Sequence, residues 1–266
     1  MPDLVVSSSV RPDERGSVLE VTPRSAGWEY VGFEVLRLAD GRTVERGTGE
    51  VEVCLVILSG SCTVSTAEDE WRGLGGRDSV FEGRPYAVYL PPGTGYRIEA
   101  VGYLEVAVCS APAAEGVEPC LIRPEDTETS TRGSGNMERR ITNILMEERP
   151  AERLLVVEVI TPGGHWSSYP PHKHDREALP EQSYLEETYY HRIQPDQGFA
   201  LQWVYTGDRS LDETLTVRDG DAVLVPRGYH AVSAPPGYDL YYLNVMAGPV
   251  REWKVRNDPD HAWLLG

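Results

Sequence analysis

Residues 215–234 read LTVRDGDAVLVPRGYHAVSA. A Gly turn leads into an apolar run of strand length that stops at Pro226. A second Gly turn and a further strand-like run follow, starting near His230. Residues 78–100, DSVFEGRPYAVYLPPGTGYRIEA, repeat this order. After a gap, each copy closes on a last strand ending in a small residue and proline, YLEVAVCSAP at 103–112 and DLYYLNVMAGP at 239–249. A weak duplication of this kind predicts two β-lobes in one chain. We expect the first over residues 1–110 and the second over 136–266. The polar stretch 111–135 (including PEDTETSTRGSG) has the composition of a linker.

The rest of the chain agrees with an all-β fold. Short runs rich in Val, Leu, Ile and Tyr recur at 51–58, 86–90, 103–109, 154–160, 199–205, 222–225 and 240–246, each bounded by turn residues. Helical periodicity is scarce; the best candidate is Glu147–Arg153. At 266 residues the chain is long enough to bury a core without staples. Its net charge of −17 argues against nucleic acid and against anionic membrane surfaces, both of which select Lys and Arg. No apolar run reaches the ~18–20 residues of a membrane span, and residues 1–10 lack the pattern of a signal peptide. Four cysteines without C-x-x-C spacing read as small buried thiols in a reducing compartment. Together these features predict a cytoplasmic protein acting on something small.

All six histidines fall after residue 164. Two stand in Pro171-His172-Lys173-His174, where strand alternation puts both imidazoles on one face. Glu187 enters the next strand-like run, with Glu186 as its rival, and His230 follows the turn at Gly228. Three imidazoles and a carboxylate suit a borderline divalent ion such as Zn, Fe, Mn, Ni or Co. The same alternation turns Tyr189 and His191 inward with Glu187, so His191 is a candidate base and Tyr189 a candidate donor to an oxyanion. Lys173 and Arg192 should point away. Arg227, in the turn before His230, is a candidate anchor for an anionic substrate, and Tyr242 shares a face with Asn244 on the last strand.

These motifs resemble those of the cupins: His-x-His, then Glu, then Gly-x5-Pro-x-Gly and a last His. Twelve residues separate His174 from Glu187 where cupins have three or four, which places an insertion at 175–185. The first lobe has Gly95 and Tyr96 where His230 would be, and resembles a degenerate cupin that packs and caps. The runs Ser167–Asp175 (SSYPPHKHD), Glu186–Arg192 (EETYYHR), Tyr241–Gly248 (YYLNVMAG) and Gly135–Leu145 (GNMERRITNIL) resemble more specifically the 5-deoxy-glucuronate isomerases of myo-inositol catabolism, which are bicupins. The resemblance implies an aldose–ketose isomerisation of 5-deoxy-D-glucuronate to 5-dehydro-2-deoxy-D-gluconate. It further implies zinc at His172, His174, Glu187 and His230, and a substrate contact at Arg139. A cupin dioxygenase and a non-catalytic sugar-acid binder are the alternatives. A homo-oligomer is expected, since cupin edge strands often pair with a neighbour.

Overall fold

A computed structural model describes residues 3–265 of the protein. The chain is all-β, as its turn-bounded apolar runs predict, and every such run is a strand to within a residue or two or part of a longer one. Among the described residues the one α-helix is a single turn, Pro23–Ala26, capped by Thr22. None is long and apolar enough to cross a membrane. The expected helix at 147–153 is a series of turns. Pro150 cannot donate a helical hydrogen bond, and the segment satisfies its donors elsewhere. The backbone N–H groups of Glu152, Arg153 and Leu154 all donate to the buried carboxylate of Glu52, at 2.8, 2.6 and 2.7 Å.

The described chain divides into two compact units. One comprises Ser8–Glu128 and Asn143–Val156; the other comprises Thr129–Thr142, Val157 onward, and the N-terminal residues through Ser7. Residues 111–135 carry two strands, Cys120–Ile122 and Glu128–Arg132. The four cysteines are free thiols; Cys54, Cys62 and Cys109 are buried and Cys120 is exposed.

The first unit is built on two long strands, Val51–Ser65 and Gly95–Pro112. The first half of Val51–Ser65 pairs with Ala87–Leu90 and its second half with Glu70–Arg77. Gly95–Pro112 likewise pairs first with Thr43–Gly47 and then with Gly32–Leu38. Each long strand therefore serves two regions of one curled sheet, and its middle must bend. Gly60 allows this: its φ is +80°, and a Cβ there would sit 1.8 Å from the carbonyl oxygen of Tyr103. Leu55, Ile57, Val64, Ile98, Leu104 and Val106 fill the interior.

The second unit opposes two sheets. One runs through Val5–Ser7, Asp221–Val225, Glu186–Gln194 and Asp239–Ala247; the other through Asp212–Val217, Ala200–Tyr205, Tyr229–Ser233 and Trp166–Lys173. Its interior carries more polar groups than a core requires. Glu187, His191, Gln202 and His230 are all buried there.

Glu52 accepts the three backbone bonds above and a fourth, 2.8 Å, from the Tyr89 hydroxyl. Replacing it with alanine takes the acceptor from four donors, of which the Tyr89 hydroxyl and the Leu154 N–H are buried. We expect Glu52→Ala to lower unfolding free energy by about 3 kcal/mol or more, and Glu52→Gln to lose less. Urea denaturation of both variants checks the order.

Candidate metal centre

The ladder between Trp166–Lys173 and Tyr229–Ser233 sets His172 directly opposite His230. Their ring centroids are 4.6 Å apart. His174 lies just past the end of its strand, with its ring centroid 5.3 Å from that of His230. The coordinating nitrogens of the three imidazoles all lie within 4.8 Å of one another. From the facing sheet, Glu187 brings one carboxylate oxygen to 3.0 Å from His174 Nε2 and 3.2 Å from His230 Nε2. All four residues read from the sequence as ligands thus converge on one point.

Their titration behaviour follows from this crowding. Burial, and then the neighbouring imidazoles, push His172 well below the ordinary histidine range. Burial also opposes charge on His174, but the hydrogen bond and charge of Glu187, together with the bond to the Leu185 carbonyl, outweigh it and raise the imidazole. Glu187 is held far below the usual carboxylate range: burial works against its charge, and His230 and His174 more than offset it.

The residues fit a divalent cation. His174 Nδ1 lies 3.0 Å from the carbonyl oxygen of Leu185, a bond that commits its proton there and leaves Nε2 as a ligand. His230 Nε2 is buried and has no hydrogen-bond partner even though it faces the Glu187 carboxylate. A divalent cation held by His174, His230 and Glu187 would satisfy the orphaned nitrogen and take the place of the proton between His174 Nε2 and Glu187.

The insertion between His174 and Glu187 is a small hairpin, Asp175–Ala178 paired with Gln182–Tyr184. Its base is closed by the Leu185 N–H, which donates to His174 O at 2.9 Å. Asp175 then ties the hairpin to the turn before His230. Its carboxylate accepts from Gly228 N and Gln182 Nε2, both at 2.9 Å, and pairs with Lys173 Nζ at 3.2 Å. Gly228 permits that turn, with φ +88° and a Cβ position only 2.3 Å from Tyr205 O. Lys173 points away from the imidazoles, as alternation predicts, and Arg192 turns to Asp219 at 2.9 Å.

Below the imidazoles lies a layer of hydroxyls. Tyr189 is fully buried, its ring centroid 5.7 Å from His230 and 5.0 Å from Tyr242. Its hydroxyl meets Ser168 Oγ at 2.9 Å, and the Tyr242 hydroxyl bonds both Ser167 and Ser168. Ser168 reaches both phenols because the strand register slips between Ser167 and His172, leaving it at φ +50°, uncommon for a residue with a side chain. Burial raises both phenols, keeping them protonated.

Arg139 is half-buried and close enough to act electrostatically on Tyr242, Tyr189 and His172. Its guanidinium donates to Met137 O at 3.1 Å and lies in a cradle at Gly133, where a Cβ would come within 2.8 Å of it. Arg227 takes a different course. It is exposed and turns toward Ser210, 3.5 Å away.

His191 lies deeper still, stacked at 6.0 Å on Tyr189, with Nε2 2.9 Å from Gln202 Oε1. Ser168, Asp175 and Gln202 were not legible as site residues in the sequence. Each is a common polar type whose position depends on a bulge, an insertion or a facing strand.

The KduI/IolB family model matches residues 4–264. A curated relative from Geobacillus thermodenitrificans, 5-deoxy-glucuronate isomerase, is 58% identical over 98% of this chain and 95% of its own length. A crystal structure of an IolB-like protein from Salmonella typhimurium superposes with a TM-score of 0.96 at 45% identity, covering 99% of this chain and all of that one. The bicupin oxalate decarboxylase of Bacillus subtilis shares the fold, with a TM-score of 0.69 at 15% identity over 97% of this chain and 80% of its own.

Burial pushes the His191 imidazole down to about 4. The unfolded chain therefore takes up a proton at His191 before the folded one does. Its contribution to stability is full above the ordinary histidine value near ~6.5 and is lost as pH falls toward the folded value. His191→Gln should flatten the difference in melting temperature between pH 7 and pH 5 relative to wild type, measured by thermal denaturation at both pH values.

Proposed function

The chain belongs to the KduI/IolB family, and from that membership we propose that it is a 5-deoxy-glucuronate isomerase, converting an aldose acid to the 2-keto isomer in myo-inositol catabolism. The observation that carries the chemistry is the convergence of three imidazoles and one carboxylate at the head of a layer of buried hydroxyls. His172, His174, Glu187 and His230 would hold one divalent ion, zinc in this reading. Such an ion supplies Lewis-acid stabilisation of negative charge on the substrate's oxygens, worth several kcal/mol.

The isomerisation moves one hydrogen from C2 to C1 and one hydroxyl proton from O2 to O1, with no net redox change. Tyr189, Ser168 and Tyr242 form a continuous run of hydroxyls. Tyr189 at one end can give a proton to one substrate oxygen while Tyr242 at the other accepts one, so the run is restored after each turnover. His191, neutral at physiological pH and fixed by Gln202, acts through the Tyr189 ring and holds it in place. The carboxylate at the far end of the substrate needs a cation. Arg139 is the one we assign, because it is half-buried beside both phenols whereas Arg227 faces solvent.

A proton NMR time course with 5-deoxy-D-glucuronate in deuterated water tests the reaction. Loss of the aldehyde signal with growth of the 2-keto product is expected, and absence of conversion by metal-replete protein would reject the reading. His230→Ala should lose bound metal and activity together, read by metal analysis beside the same assay; full metal content with full activity would remove His230 from the ligand set.

Arg139→Lys keeps the charge but loses the planar fork. It should raise KM about tenfold or more with a smaller effect on kcat, a loss of roughly 1.4 kcal/mol in binding. Steady-state kinetics separates the two.

A further inference from the structure

The first unit repeats the strand crossing of the metal centre without a histidine. Arg46 lies directly opposite Tyr96, as His172 lies opposite His230. Tyr96 follows Pro92 at the same spacing as His230 follows Pro226. A guanidinium and a phenol thus stand at the crossing where the second unit pairs two imidazoles, and Val53, opposite Leu90, brings an apolar side chain to the same border. A lobe that only packs would fill this space with side chains. Instead a cavity of about 200 Å³ remains, bordered by Arg46, Tyr96, Val53, Val108, Glu34 and Ser110.

The chemistry of the lining narrows what it can hold. Glu34 is 7% exposed and takes two bonds from the Arg46 guanidinium, one of them 3.1 Å and the other joining Nη1 to Oε2. Tyr96 also bonds Arg46. The two charges cancel within the pocket, and Glu20, also on its border, is paired with Arg15 at 3.0 Å. An anionic ligand would have to face Glu34, and a cationic one would have to face Arg46. A neutral molecule with several hydroxyls meets neither penalty. It can donate to the remaining lone pairs of Glu34, exchange hydrogen bonds with Ser110 and the Tyr96 hydroxyl, and lay its carbons against Val53 and Val108. The volume lies below the ~300–1,000 Å³ of drug-sized sites, which limits the ligand to a few carbons.

We propose that this cavity is a second, metal-independent ligand site that takes a small neutral polyol.

Saturation-transfer NMR on the full-length protein, with erythritol as the probe and acetate as an anionic competitor, tests it. We expect saturable transfer to erythritol below about 50 mM, unaffected by acetate and by His230→Ala. Glu34→Ala, and Val53→Phe, which fills the cavity, should each weaken it about tenfold or more. Near-UV circular dichroism confirms the fold of each variant, and Tyr96→Phe replaces Val53→Phe if the latter does not fold. The proposal is overturned by absence of saturable transfer, by transfer that survives both first-unit variants, by its loss in His230→Ala, or by displacement of erythritol by acetate.

Discussion

A carboxylate buried against two imidazoles is the arrangement on which the second unit depends. Glu187 is almost wholly removed from water, and an isolated buried carboxylate is costly enough that it would ordinarily take up a proton. Its charge persists because His174 and His230 approach the same oxygen from a facing sheet. That approach demands accuracy from backbone pairing rather than from the side chains. The ladder that opposes His172 and His230 sets one edge of the cluster. The hairpin base sets another by holding His174 through both its carbonyl and its ring. Asp175 joins the hairpin to the His230 turn, so the two edges cannot drift apart independently.

The two units separate what the fold provides from what the residues provide. Both place a pair of opposed residues at the same strand crossing, and both bend their chain at glycines beside it. Only one has ring nitrogens there. In the first unit the same position holds an ion pair whose positive partner is covalently part of the chain. An arginine can neutralise a buried glutamate as a metal ion does, but it has no open coordination position to offer a substrate. Among the described residues a cluster of donors suited to a metal ion therefore stands in the second unit alone, even though the scaffold is repeated.

Much of this was legible in the sequence, for identifiable reasons. Strands were legible because Val, Leu, Ile and Tyr runs broken by Gly and Pro have few other outcomes. The histidine cluster was legible because histidine is rare in this chain and confined to its second half, so spacing narrowed the choice of residues that meet. What failed to show depends on partners distant in sequence. Glu147–Arg153 has a helical composition, but the backbone of its last two residues, Glu152 and Arg153, donates to Glu52, about a hundred residues earlier. The insertion after His174 was visible as a length, but not as a hairpin that grips His174. Arg227 stands three residues from His230, yet proximity along the chain does not determine which way a turn side chain faces. Arg139 stands far from the ligands in sequence and near the buried tyrosines in space.

That contrast between the two arginines bears on how a strongly acidic protein can hold an acidic substrate. Taken alone, the net charge of −17 opposes binding. At physiological ionic strength, however, charges farther apart than about 8 Å are largely screened, so most of that excess does not reach a ligand inside the barrel. Inside, the effective dielectric is lower and screening ions are few, so one nearby cation outweighs many distant anions. Arg139 meets that condition because Gly133 leaves room for its guanidinium and the surrounding burial strengthens its field. In the proposed function the acidic surface then affects mainly the rate of encounter, and the half-buried arginine and the hydroxyl layer are the groups assigned to hold and orient the substrate.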